Sequence, residues 1–226
     1  MSYLFFKKDL KKRCYRCADD HRKDLSDDHL PPKNIFPKEE RTGLQLITAT
    51  ICEKCKKLYQ RTGEDDQVFI QHMRLWASLR TGGKDTKDRI EDCIKRDRLA
   101  KHSGIVLVED LKITSSDGLS THYPILKEGR PVILGVLDSI ARGFYYRIKG
   151  EIIPQQVNPE FEFRPRGSFQ PPFNLLTRMP TIVVKEGVFK FAMNFYSDNK
   201  LKFLCWEFGF YNLNPLPVYY CYCKVT

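Results

Sequence analysis

Cys14-Tyr-Arg-Cys17, Asp27-Asp-His29-Leu-Pro-Pro-Lys33 and Cys52-Glu-Lys-Cys55 are the three pieces of chain whose reading decides the fold. Each Cys-x-x-Cys pair supplies two thiolates at the spacing of half a tetrahedral zinc shell, so the two pairs together form a closed four-sulfur site. Cys14, Cys17, Cys52 and Cys55 are therefore expected to ligate a structural zinc ion. Such an ion folds its surroundings and leaves no open position for chemistry. The reactive candidates are the side chains held between the knuckles, and Asp28 with His29 is the obvious pair. A carboxylate can hold a hydrated divalent cation while the neighbouring imidazole takes a proton from water.

Working outward, Pro31 and Pro32 forbid helix at and just before themselves, which puts His29 on extended or turning chain. Leu44–Ile51 is rich in β-branched residues and reads as a strand that delivers the chain to Cys52. The two extended pieces should pair as a hairpin around a loop at Lys38–Gly43. After Cys55, Lys56–Arg61 reads as a helical turn closed by Gly63. A longer helix over Asp65–Leu79 follows, with Val68, Phe69, His72, Leu75, Trp76 and Leu79 on one face. On the other side of the first knuckle, Ala18–Ser26 is almost wholly charged and reads as an exposed loop. The basic run Lys7, Lys8, Lys11, Lys12 and Arg13 reads as a solvated face or as a phosphate-contacting arm.

Gly82-Gly83 breaks both flanking patterns and is the best boundary, dividing the chain into residues 1–82 and 83–226. Beyond it the sequence predicts helices over Asp85–His102 and Val132–Tyr145. Strands are predicted over Ile105–Ile113, Glu151–Val157, Thr181–Val184, Val188–Ser197, Leu201–Phe210 and Val218–Lys224. The expected fold class is α+β, a small ββα module followed by a helix plus antiparallel-sheet domain. Cys221 and Cys223 fall on one strand face and, like Cys205, read as buried neutral thiols. The aromatic residues from Phe189 to Tyr222 read as a sheet core. His21, His72, His102 and His122 have no partner pattern.

With 226 residues, 42% of them hydrophobic, the chain can bury a substantial core. Its formal net charge of +10, from 38 Lys and Arg against 28 Asp and Glu, favours a polyanionic partner. The eight cysteines accompany no signal-peptide-like apolar start, which predicts reduced thiols, metal binding and a cytoplasmic protein. Pro131–Tyr146, the longest apolar stretch, is interrupted by Asp138 and Arg142, and no membrane span is expected.

The order knuckle, Asp28-His29-Leu-Pro-Pro-Lys33, strand, knuckle, helix resembles the HNH, or ββα-metal, endonucleases, in the branch stapled by a four-cysteine zinc. The resemblance covers residues 1–82. It implies phosphodiester hydrolysis in DNA, with RNA as the lesser possibility. Asp28 would be the ligand of a catalytic magnesium or manganese ion and His29 the general base. Lys33, Lys56 and Lys57 would lie against phosphate. One position departs from the family, which has Asn or His directly after the last knuckle cysteine as the second metal ligand. Lys56 stands there, and an ammonium repels a cation. Asn34, Glu64, Asp65 and Asp66 are the groups that could complete the shell. The alternative is a catalytically degenerate HNH fold that binds nucleic acid or a protein partner, with the C-terminal domain as a contact for a partner or for a second copy.

Overall fold

The structure is a computed structural model. It describes residues 6–7, 10, 12–19, 24–36, 38, 41–44, 46–59, 66, 69–70, 73, 107–114, 120–126, 130–165, 181–185, 188–197, 202–210 and 217–225. The helix expected over Asp85–His102 and the boundary at Gly82-Gly83 lie outside these residues. Helices and antiparallel sheets make an α+β architecture.

Strand β1 (Leu25–His29) pairs antiparallel with β2 (Thr48–Cys52), with Asp28 opposite Ala49 and His29 opposite Thr48. A bond from Leu30 N to Ile47 O at 2.9 Å continues the pairing beyond the strand ends. Helix α1 (Glu53–Tyr59) starts immediately after Cys52, three residues earlier than its composition predicts. The reason lies inside the knuckle. Cys52 Sγ accepts the Cys55 N–H at 3.4 Å, as an N-cap oxygen would, and Glu53 N donates to Asp24 O at 3.0 Å. Residues 66, 69, 70 and 73 are helical, in agreement with the helix expected from Asp65 onward.

A second hairpin joins β3 (Leu107–Thr114) to β4 (Ser120–Leu126). It leads to the 20-residue helix α2 (Arg130–Lys149), longer at both ends than Val132–Tyr145. The N-terminal segment extends and closes its C-terminal end. Lys7 N bonds Arg147 O, Lys7 Nζ bonds Lys149 O at 2.7 Å, and Arg13 Nη2 bonds Gly150 O at 2.8 Å. Cations suit the negative end of a helix, and Gly150, with φ +75°, supplies the left-handed residue that ends it. Part of the basic run thus has a structural use.

The remaining strands form one antiparallel sheet in the order β5-β9-β8-β7-β6, comprising β5 (Glu160–Pro165), β6 (Ile182–Lys185), β7 (Phe189–Ser197), β8 (Lys202–Phe210) and β9 (Pro217–Val225). The expected strand at Glu151–Val157 is absent. Three of its carbonyls, those of Ile153, Pro154 and Val157, accept from the buried Arg142 guanidinium instead of from a neighbouring strand. Proline at 154 also removes a ladder donor. The first sheet strand forms at Glu160 instead.

Helix α2 buries Ile133, Val136, Leu137, Ile140, Ala141 and Phe144 at helical spacing, and Arg142 to Tyr146 are buried as well, so it is enclosed on more than one side. Phe144 stacks on Phe191 of β7 at 4.3 Å between centroids and lies 6.4 Å from Phe208 of β8. On another face Gly143 receives Leu30, the residue after His29. The buried residues of the hairpin, the helix and the sheet form one contiguous core. No helix among the described residues is long and apolar enough to cross a membrane.

Candidate metal centre and the hairpin it holds

The four knuckle cysteines converge. Their sulfur atoms all lie within 4.8 Å of one another, and Cys17 and Cys52 sulfurs are 3.7 Å apart. A tetrahedral zinc–thiolate site with bonds of about 2.3 Å has sulfur–sulfur separations of about 3.8 Å. All four are free thiols, three of them buried. The cluster can therefore hold a structural metal such as zinc.

The local chain explains the convergence. Cys14 O accepts from Ala18 N at 3.0 Å and Cys14 N donates to Asp19 O at 2.8 Å, a tight turn in which Ala18 takes a positive φ of 64°. Tyr15 N donates to Thr50 O at 2.9 Å, tying that turn to β2, which itself ends in Cys52. Burial pushes the Cys17 thiol up to about 12 and raises Cys55 further, with the nearby Cys14 adding to both. Burial also acts upward on Cys14, but backbone N–H groups of Cys52, Cys17 and Arg16 outweigh it and its pKa falls. A pocket that resists several thiolates together is one in which a divalent cation strongly favours deprotonation.

Asp28 and His29 are the last two residues of β1. The pleat sends them to opposite faces. Asp28 shares its face with Ala49 and Ile51, both buried, whereas His29 shares the outer face with Asp27 and Thr48. Asp28 Oδ2 accepts the Tyr15 hydroxyl at 2.7 Å. His29 is half-buried, and its pKa lies below 6.5 because burial and then Lys33 disfavour its charge, against the pull of Asp28 and Asp27. Lys33 is exposed in a 3-10 turn (Lys33–Ile35), and Asn34 is exposed beside it. Lys56 is half-buried in α1. Lys57 is 76% exposed and 3.6 Å from Glu53, a surface pair of little strength. Among the described residues no ion pair joins Lys56 to Asp28, and the four cysteines are the only group of three or more metal-type side chains. Glu64 and Asp65 lie outside the described residues.

Two residues not singled out by sequence proved central to the geometry. Tyr15 is fully buried, and burial followed by the Asp28 charge raises its pKa well above 10. Arg16, 3% exposed, bonds Asp138 Oδ2 at 2.9 Å and Ser139 Oγ at 2.6 Å on α2. Asp138 also takes Arg142 Nε at 2.8 Å. The only signal in the sequence was chemical, a phenol and a guanidinium between two cysteines of the metal-fitting cluster. Both are large groups whose polar ends need partners if buried. Arg16, Asp138 and Arg142 line a cleft of about 540 Å³ with Asn158 and Phe161, and its described lining includes no residue of β1 or β2. Arg142 is held there by Asp138 and three carbonyls, as a structural tie.

No family model, curated protein or solved structure matches this chain.

Proposed function

We propose that the chain is a metal-dependent endonuclease of the HNH type, acting on DNA and secondarily on RNA. The supporting observation is the order in which a zinc-fitting four-cysteine cluster gathers a two-strand hairpin and a helix, with Asp28-His29 ending the first strand. In this reading Asp28 is a ligand of a magnesium or manganese ion. One carboxylate, with water and substrate phosphate, is enough to hold magnesium. When bound, the ion would offset charge on the scissile phosphate and the leaving oxygen. His29, with its lowered pKa, is neutral near pH 7 and accepts the proton of the attacking water. Lys33, Lys56 and Lys57 contact phosphate.

Plasmid nicking by zinc-loaded protein, with and without added manganese, tests the proposal. Adding the cation is preferable to removing it with EDTA, which would also take the structural ion. Cation-dependent strand breaks that His29→Ala lowers by roughly 100-fold or more are expected. Cutting that survives this substitution unchanged would remove His29 as the base.

A second reading has its own observation, Lys56 directly after Cys55 with no second metal-type group gathered at Asp28. Here the zinc scaffold binds nucleic acid or a protein partner without cutting. A gel shift whose affinity falls steeply with salt, in the absence of breaks at any cation concentration, would select it.

A further inference from the structure

We propose that the last turn of α2, where Lys7, Arg13, Arg147 and Lys149 gather, is a docking patch for the phosphate backbone of a nucleic acid. The polyanion is that of the reading above, but the patch needs no cutting centre. Residues 6–13 and 145–151 hold seven cations against Asp9 and Glu151, which is half of the chain's net charge of +10. Folding brings the two segments together. Lys7 Nζ donates to Lys149 O at 2.7 Å and Arg13 Nη2 to Gly150 O at 2.8 Å, and a Cβ built on Gly150 would stand 3.2 Å from Lys7 Nζ. Capping the helix takes one donor of the ammonium's three and one of the guanidinium's five. The side chains of Arg147 and Lys149 cap nothing. Their cations lie over Phe6 at 6.0 Å and Phe195 at 4.8 Å, as Arg13 lies over Tyr146 at 5.7 Å. A ring face holds a cation in place without cancelling its charge. Nor does a carboxylate cancel it. Among the described residues none of the four forms an ion pair, and Glu151 accepts from the Tyr145 hydroxyl at 2.9 Å. Arg16 and Arg142, by contrast, are buried and both paired with Asp138. Cations that serve the fold are neutralised, whereas those at the end of α2 are fixed and remain charged. A duplex carries one phosphate charge per about 1.7 Å of its axis, so a patch one helix wide, about 10 Å, faces several. A lipid surface would also need an apolar wedge, and the exposed large apolar side chain among the described residues, Leu58, is on α1. Lys149 is six residues, about 9 Å, along α2 from Gly143, which receives Leu30 of the hairpin, so one nucleic acid can reach both places.

Arg147→Gln with Lys149→Gln removes two charges and no hydrogen bond. Binding of a labelled random-sequence duplex to zinc-loaded protein is read by fluorescence anisotropy across a salt series, without manganese so that no strand is cut. The slope of log affinity against log salt should shrink by about two, with affinity down roughly 10-fold or more and the fold retained by circular dichroism. Lys185→Gln with Lys190→Gln removes the same charge from β6 and the start of β7, about 17 Å along β7 from Phe195, and should change the slope less than half as much. An equal drop in both pairs would mean that net charge alone attracts the duplex, which overturns the proposal, as does a slope that the α2 pair leaves unchanged. If the α2 pair does not fold, amine acetylation of the wild type, read by mass spectrometry, decides instead. Duplex should protect Lys7 and Lys149 more than Lys185, and equal labelling with and without duplex overturns the proposal. Tighter binding to phosphatidylserine vesicles or to a polyglutamate peptide than to duplex, lost in the α2 pair, would assign the patch to a lipid or an acidic protein and equally overturn it. Wild type that binds duplex through this patch yet breaks no strand with manganese would end the endonuclease reading and leave the patch standing.

Discussion

Around Cys52 and around Phe144 the chain solves the same problem with different materials. The knuckle region offers two five-residue strands and a seven-residue helix, lengths at which hairpins and helices are marginal in water. Its inward side chains on β2 are Ala49 and Ile51. The α2–sheet region surrounds Phe144 with Phe6, Phe189, Phe191 and Phe208, all with centroids within 6.4 Å, on strands of up to nine residues. Apolar area holds the second region. The first buries Tyr15, Leu30, Phe36 and Phe69 and adds four sulfur atoms meeting at one point. The two residues that end β1 in the stapled region, Asp28 and His29, are half-buried.

Removing the ion should break the comparison most visibly. Metal binding to structural four-ligand zinc sites is worth about 10–16 kcal/mol in isolated peptides. Chelation, or Cys52→Ser with Cys55→Ser, is expected to abolish slow hydrogen exchange in β1, β2 and α1 while β7, β8 and β9 retain theirs, as mass spectrometry can follow. Equal loss in both regions would show a single cooperative unit. Phe144→Ala is the reverse experiment. Truncating a buried phenylalanine costs about 3–5 kcal/mol, so the denaturation midpoint should fall with one zinc per chain still bound.

Gly143→Ala probes the seam between the regions. A methyl there would overlap Leu30 Cδ1, with Cδ2 and Cγ only 3.0 and 3.1 Å away, and Leu30 is buried and follows His29. Overpacking should cost about 1–3 kcal/mol, offset in part by the better helix propensity of alanine, about 0.5–1 kcal/mol. The net loss should appear in equilibrium unfolding, together with shifted His29 imidazole resonances.

The smallest effect concerns pH. His29 has a folded pKa below its usual 6.5, so at pH values between the two the unfolded chain binds more protons, and stability rises with pH there. His29→Gln should remove a modest part of that slope between about pH 5 and 7 in acid titrations followed by circular dichroism. On the endonuclease reading, activity should rise with pH as His29 loses its proton, with the rising limb below pH 6.5.

The staple was legible because cysteine spacing carries its own geometry. The hairpin was legible because Pro31 and Pro32 exclude helix beside His29 and because β-branched residues lead into Cys52. The central helix was legible from the spacing of Ile133, Leu137, Ile140 and Phe144. What escaped was set by partners distant in sequence. Glu151–Val157 has the alternation of a strand, yet its carbonyls turn inward to Arg142. The strand β4 (Ser120–Leu126) contains Pro124 and a histidine, which hid its pattern. Tyr15 and Arg16 could not be assigned roles until folding brought them to Asp28 and Asp138, residues that nothing in the knuckle itself announces.

Arg16 bears on any attempt to graft the cysteine knuckle onto another scaffold. Its buried guanidinium is received by Asp138 and Ser139 of α2. A transplant of the first two strands and their cysteines would carry the Arg16 guanidinium into the new interior without its Asp138 carboxylate, at a penalty of about 3–5 kcal/mol. Replacing Arg16 with methionine in the donor segment, or importing one turn of α2 with it, would make the module portable.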